Sequence, residues 1–297
     1  MAERPCLAHM RAAIAVSDTS DWTAQSLLRA FSARGVAAET LSLDELTARI
    51  EDLSFKARAT SLENLEILLV RDMGRGAPQD VAFRFELLRT LSEGGCRVIN
   101  PPEAILRAAN KFATSVALQR ADVPTPRTTV TSSIYEAKSA LHEYGRAVSK
   151  PLFGYKGRGI ELLTDGDEEA VCRILNKSGL IYLQEFVKTD TPRDIRAFVV
   201  GDRVAGAIYR LAPPGGWISN LARGGRPQPC QVSDELERLA LASRSAVGAF
   251  YCGVDLLESQ SGLKVIEVNG TPSAKGIFSA LGVDGGDLIV RALLDGP

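Results

Sequence analysis

Residues 253–276 read GVDLLESQSGLKVIEVNGTPSAKG, and the rest of the chain is interpreted outward from them. Two apolar runs, 254–257 and 263–268, flank the turn-forming Ser259-Gln260-Ser261-Gly262, which predicts a β-hairpin. Three positions break the apolar pattern: Asp255, Glu267 and Asn269. Side chains alternate along a strand, so Glu267 and Asn269 share a face. With an odd number of residues in the connection, Asp255 lies directly opposite Glu267 and all three oxygen-bearing side chains converge. An even connection turns Asp255 to the other face, because a one-residue slip reverses every side chain.

Two carboxylates and an amide held close together repel unless a cation sits between them. Hard oxygen donors in that number suit Mg²⁺, which takes one or two carboxylates and fills its other positions with water and phosphate oxygens. The competing reading is a pair of solvated charges on an edge strand, and the apolar neighbours argue against it. The expectation is a magnesium–nucleotide site.

The composition is that of a soluble globular protein: 45% of the 297 residues are hydrophobic and 24% are charged. That length predicts two or three modules at about 150 residues each. A formal net charge of −1 gives no electrostatic reason to expect nucleic acid or an anionic membrane as a partner. Cys6, Cys96, Cys172, Cys230 and Cys252 form no CxxC pair and fit reduced thiols in a cytoplasmic protein. No run approaches the ~20 apolar residues of a membrane helix. The opening MAERPCLAH lacks the apolar core of a signal peptide, and Met10 is an alternative translation start.

Buried-type strands at 12–16, 36–43, 65–70 and 96–99 alternate with helical patterns at 22–34, 44–51 and 78–93. Such alternation predicts a parallel sheet covered on both faces, ending near Asn100-Pro101-Pro102. Residues 17–20 offer N-caps for the first helix, and Asn110 offers one for a helix beginning at Lys111. A strand at 128–130, a helix at 133–144 and a strand at 146–150 lead into PLFGYKGRGIELL, a flexible hairpin tip. Its Gly154, Gly157 and Gly159 permit close backbone approach, and Lys156 and Arg158 can help cover phosphates. It is not a P-loop, because no GKS or GKT follows and a strand, not a helix, comes next. After a helix at 167–177 and a strand at 180–183, runs 194–200 and 203–211 form a hairpin with Asp194 and Arg196 on one face. A loop ending in WISNLARGG and a long helix at 233–250 return the chain to the opening stretch.

Taken in order, these segments resemble the ATP-grasp superfamily, and more narrowly the RimK-type carboxylate–amine ligases. The likeness runs from about residue 99 to 277 and rests on QEFV, DIRAFVVG, SNLARGG, GVDLL and VIEVNGTPSAKG together. It implies an α/β (α+β) ATP-grasp fold: an N-terminal parallel-sheet domain over 1–100, a central lid over 101–187, and a C-terminal antiparallel-sheet domain over 188–297 with the metal site. It further implies that Lys150 and Lys111 hold the nucleotide's phosphates while the 154–159 hairpin, with Gly154, Lys156, Gly157 and Gly159, closes over them. Gln184, Glu185, Phe186 and Val187 match the hinge whose backbone reads the adenine, and Asp194 the nucleotide-contacting aspartate. Ser219 and Asn220 match residues beside the phosphates and metal. Asp255, Glu267 and Asn269 match the metal ligands, in agreement with the strand argument. Arg196, Arg210 and Arg223 are candidates to hold an acyl-phosphate or a substrate carboxylate, with at least one expected to be a structural ion-pair partner.

The activity so implied is ATP-dependent amide formation through an acyl-phosphate, with ATP and Mg²⁺ or Mn²⁺ required. Its partners are an amino acid, glutamate foremost, and an amine or carboxylate acceptor such as a coenzyme, small molecule or protein terminus. The resemblance also implies a homo-oligomer. One departure stands out: Trp217-Ile218 precedes Ser219-Asn220 where many glutamate ligases carry arginine. That form is closer to ligases acting on an amino-group carrier protein, which is the alternative, and a non-catalytic ATP-binding regulator is a third reading.

Overall fold

The computed structural model describes residues 10–154, 157–221 and 224–295. It opens with β1 (Arg11–Ala15), whose side chains alternate between two apolar cores: Ala12 and Ile14 enter one, Ala13 and Ala15 the other. A strand buried on both faces needs a sheet with helices above and below. Helix α1 (Trp22–Ser32) follows, and its cap is Asp21, which accepts the Ala24 N–H at 2.8 Å. The expected caps at 17–20 are used otherwise: Ser17 donates its N–H and hydroxyl to Asp72.

β2 (Ala37–Leu41) pairs parallel with β1. Residues 44–51 are not helical. They contain β3 (Leu46–Arg49), which joins β4 (Ser54–Ala57) and β5 (Thr60–Ser61) in a small antiparallel sheet. An isolated helix of that length is marginal, whereas strand pairing satisfies its backbone. β6 (Ile67–Val70), α2 (Pro78–Glu93) and β7 (Arg97–Ile99) complete the parallel sheet, in the order β2-β1-β6-β7.

Helices α3 (Pro102–Ala109) and α4 (Lys111–Arg120) meet at Asn110, whose Oδ1 accepts the Ala113 N–H at 3.2 Å. The second sheet is antiparallel, in the order β10-β9-β11-β8. Its elements in chain order are β8 (Thr128–Thr131), α5 (Ile134–Tyr144), β9 (Arg146–Lys150), β10 (Glu161–Thr164), α6 (Glu168–Ser178) and β11 (Ile181–Glu185). Ala147, Leu163, Ile181 and Leu183 pack against the two helices. By strand alternation Lys150, Tyr182 and Gln184 therefore face the opposite way.

The third sheet is also antiparallel, in the order β14-β13-β12-β15-β16. Its elements are β12 (Arg193–Val200), β13 (Arg203–Leu211), β14 (Arg226–Cys230), α7 (Asp234–Val247), β15 (Tyr251–Ser259) and β16 (Gly262–Asn269), followed by α8 (Lys275–Leu281) and α9 (Gly285–Asp295). Ile195, Ala197, Val254, Leu256 and Val268 bury one face against Leu236, Leu239 and Ala240 of α7. The other face is divided: Phe198, Val200, Ile208 and Tyr251 join the core beneath α1, while Asp194, Arg196, Arg210, Asp255 and Glu267 give the rest of it charge.

Two features bind this sheet to the first. Asn100, fully buried, donates to the carbonyls of Tyr251 and Gly270 and accepts the N–H groups of Phe250 and Tyr251. Helix α9 turns back onto α1, placing Ile289, Val290 and Leu293 in the core with Leu27 and Phe31. Among the described residues no helix is long and apolar enough to cross a membrane.

Candidate active site

The decisive hairpin has a two-residue turn, Gln260-Ser261, because Ser259 pairs with Gly262. That is an even connection, and by parity alone Asp255 would face away from Glu267. A β-bulge corrects it: Leu256 pairs with Val265, Asp255 pairs with Glu267, and Ile266 is the extra residue. Val265 consequently faces the α7 core and Glu267 the opposite side, although they are two apart. The Val265 N–H donates to the Pro124 carbonyl at 2.8 Å.

On the charged face, Arg196, Asp255 and Glu267 stand in one row across β12, β15 and β16. Asn269, opposite Gly253, lies on the next same-face row. Asp255 is 2% exposed and sits between two arginines. It accepts Nε and Nη2 of Arg196, the latter at 2.9 Å, and Nη2 of Arg210 at 2.7 Å. Burial disfavours its charge, but the two guanidinium groups prevail and hold the carboxyl below its ordinary range. Arg210 also grips Asp194 with two bonds of 2.6 Å, and Asp194 accepts the Ser219 hydroxyl at 2.6 Å. Both Asp194 oxygens are thus occupied by protein groups.

The lysines arrive from the other side. Lys111, at the start of α4, donates to Glu267 Oε1 at 2.9 Å. Lys150, at the end of β9, donates to Gln184 Oε1 at 2.6 Å. Its pKa is pushed down to about 8, chiefly because burial disfavours the ammonium; Glu267 pulls it up and Lys111 down. The 151–154 segment lies against α4: Lys111 N–H donates to the Leu152 carbonyl, and Phe153 bridges Asn110. A Cβ on Gly154 would sit 3.4 Å from Lys111 Nζ. Gly157 and Gly159 both have φ of 70°, which only glycine adopts readily. Lys156 and Arg223 lie outside the described residues.

At the hinge, Glu185 forms a two-pronged ion pair with Arg127, at 3.1 and 3.0 Å. The Glu185 and Phe186 N–H groups donate to the Arg127 and Arg146 carbonyls. The Phe186 ring meets Trp217 edge-on at 6.1 Å, so the loop bearing Ser219 and Asn220 rests on the hinge.

The residues fit a divalent cation by donor chemistry. Two carboxylates oppose each other with an amide one row away, and the carboxylates already attract Arg196, Arg210 and Lys111, cations of the protein itself.

A model of the RimK-like ATP-grasp domain matches residues 108–293. A tetrahydromethanopterin:alpha-L-glutamate ligase of Methanosarcina acetivorans is 39% identical over 316 aligned positions, covering 94% of this chain and 97% of that protein. The chain belongs to the RimK-like ATP-grasp family. A probable alpha-L-glutamate ligase of Trichodesmium erythraeum is 31% identical across 96% of both chains. Among solved structures, the ATP-grasp ligase PsnB complexed with minimal precursor superposes with a TM-score of 0.77 at 20% identity, covering 97% of this chain and 99% of that one. The RimK domain protein of Sphaerobacter thermophilus gives 0.73 at 22% identity, covering 95% and 98%. This RimK-like ATP-grasp protein is therefore a C–N ligase of mixed parallel and antiparallel architecture.

The fold brings Lys111, Lys150, Gln184, Asp194, Arg196, Arg210, Ser219, Asp255 and Glu267 into one network or its immediate border. Sequence reasoning did not find Gly253, Arg127 or Tyr182. The Tyr182 hydroxyl lies 2.9 Å from Ser115 and 3.3 Å from the Gln184 amide that faces Lys150. Alternation from Gln184 could have placed Tyr182 on the lid's inner face, but only after the strand's register was known.

Proposed function

We propose that the protein joins glutamate to a carboxylate of a pterin-type coenzyme, using ATP. The observation that carries the site assignment is the row Arg196–Asp255–Glu267, with Asn269 beside it and Lys111 and Lys150 facing it. The acceptor class is supported by the M. acetivorans relative and its counterparts in Methanocaldococcus jannaschii and Methanococcus maripaludis, each named for tetrahydromethanopterin.

A carboxylate does not condense with an amine in water, because hydroxide is a poor leaving group. Transfer of the terminal phosphoryl group of ATP to the acceptor carboxylate gives an acyl-phosphate and ADP. The glutamate amine then adds to the acyl carbon and phosphate leaves. Asp255, Glu267 and Asn269 would hold Mg²⁺, which when bound offsets phosphate charge; Mn²⁺ is the natural substitute to test. Lys111 and Lys150 neutralise the phosphate oxygens, since phosphoryl transfer needs positioning and charge balance above all. The hinge carbonyls and Val187 take the base. Arg196 is the group assigned to offset the charge that an acyl oxygen gains. The 154–159 hairpin, with Gly154, Gly157 and Gly159, covers the phosphates and keeps water from the acyl-phosphate.

The test is ADP release with glutamate against a panel of acceptors: tetrahydromethanopterin, other carboxylated coenzymes, and carrier-protein C-termini. Glutamate-dependent ADP release with the pterin, and a product heavier by one glutamyl residue, is the expected result. Turnover only with a carrier protein would reject the pterin acceptor. Light scattering of the same preparation checks the proposed homo-oligomer.

A further inference from the structure

We infer that Gly253 is a positioning residue, whose missing side chain lets Arg196 lie flat on the sheet and aim its fork at Asp255. Gly253 pairs with Asn269 on one side and Phe198 on the other, so it occupies the charged face one same-face step from Asp255. Its backbone is not in the left-handed region, so conformation does not demand glycine here. Space does. A Cβ at this position would lie 2.9 Å from Arg196 Cδ, 2.9 Å from its Nη1 and 3.1 Å from its Nε. All three atoms belong to the outer part of a flexible side chain. The sheet can therefore accept a methyl group, and the arginine must move.

The two arginines on Asp255 are thereby distinguished. Arg210 is sealed, its side chain 5% exposed and its Nε and Nη2 spent on Asp194 and Asp255. The Arg196 side chain is 13% exposed, with Nε and Nη2 on Asp255 and Nη1 above the residue opposite Asn269. Arg196 is the guanidinium that substrate can reach, and Gly253 fixes where it lies. The catalytic consequence rests on the proposed function; the positional claim does not.

The experiment is an NMR measurement of the arginine Nε–Hε resonances in the full-length protein, with Arg196 identified by the signal lost in R196K. A charge-assisted bond to a buried carboxylate places that signal downfield in the unaltered protein. In G253A it should move toward the position of a free arginine, while Tm changes by a few degrees at most. An unmoved signal would overturn the inference. With an acceptor in hand, kcat should fall on the order of 10²-fold, as displacement of about 1 Å can cause, and ADP affinity should stay within about threefold. In an R196A background, G253A should cost nothing further; an undiminished additional loss there would also overturn it. Should G253A alone fail to fold, the R196A/G253A protein decides: it folds if the arginine was the obstacle and fails if the sheet was. Absence of ligase activity in the unaltered protein would reject the proposed function and leave the NMR result intact.

Discussion

Lys150 is a half-buried ammonium whose hydrogen bond goes to the neutral Gln184 amide, and its pKa of about 8 means that near pH 8 about half of the population is neutral. Phosphate oxygens favour the charged form, so nucleotide binding near pH 8 should draw in protons. Calorimetric heats of ADP binding should then depend on the buffer's ionisation enthalpy, and K150R should remove that dependence because arginine stays charged. Buffer-independent heats would count against the shift. The sign for stability follows: a lysine whose folded pKa lies below its ordinary 10.5 opposes folding while protonated, so this penalty is largest below pH 8 and fades toward 10.5. Glu267→Gln leaves the shape of the site but not its charge, and turnover should drop by at least about 10²-fold with Tm nearly unchanged. Undiminished ligation would remove Glu267 from the site. Residue types at period-two spacing singled out Glu267 and Asn269 in the sequence, whereas Lys150 entered only through the family resemblance and its burial only through the fold.

At the scale of elements, a proline or glycine boundary was legible in places, whereas the caps expected at 17–20 gave way to Asp21 and the helix expected over 233–250 ends at Val247, before Gly248. Helix α2 begins at Pro78 and ends at Glu93, and β9 spans Arg146–Lys150, as the sequence predicts. What could not be read was the bulge at Ile266, because a two-residue turn by itself specifies a regular ladder and nothing local marks the extra residue. An even turn implied divergent carboxylates, and the one extra residue reversed the conclusion. Residues 44–51 failed for a similar reason: their strand exists only because 54–57 pairs with it. Deleting Ile266 would leave Asp255 opposite Glu267 in a regular ladder. Mn²⁺ binding by electron paramagnetic resonance should then persist within about tenfold. Loss of Mn²⁺ binding would show that the bulge itself shapes the site.

Across the whole molecule, Asn100 joins the first sheet to the third with all four of its hydrogen-bonding contacts going to backbone groups. Removing it takes the side-chain partner from two N–H and two carbonyl groups at a buried junction. Asn100→Ala should therefore cost roughly 3 kcal/mol or more, taking about 1–3 kcal/mol per unsatisfied buried group, as read by urea denaturation. A cost under about 1 kcal/mol would mean that water replaces it.

The return of α9 to α1 has a consequence for how the protein is made. The first sheet is complete once Ile99 has been added, yet one of its faces stays partly uncovered until Ile289, Val290 and Leu293 exist. At the usual pace of synthesis that interval lasts roughly ten to forty seconds. During it the nascent chain carries greasy, half-finished surface out of the ribosome. Chaperone capture should concentrate in that window and cease when the final helix emerges.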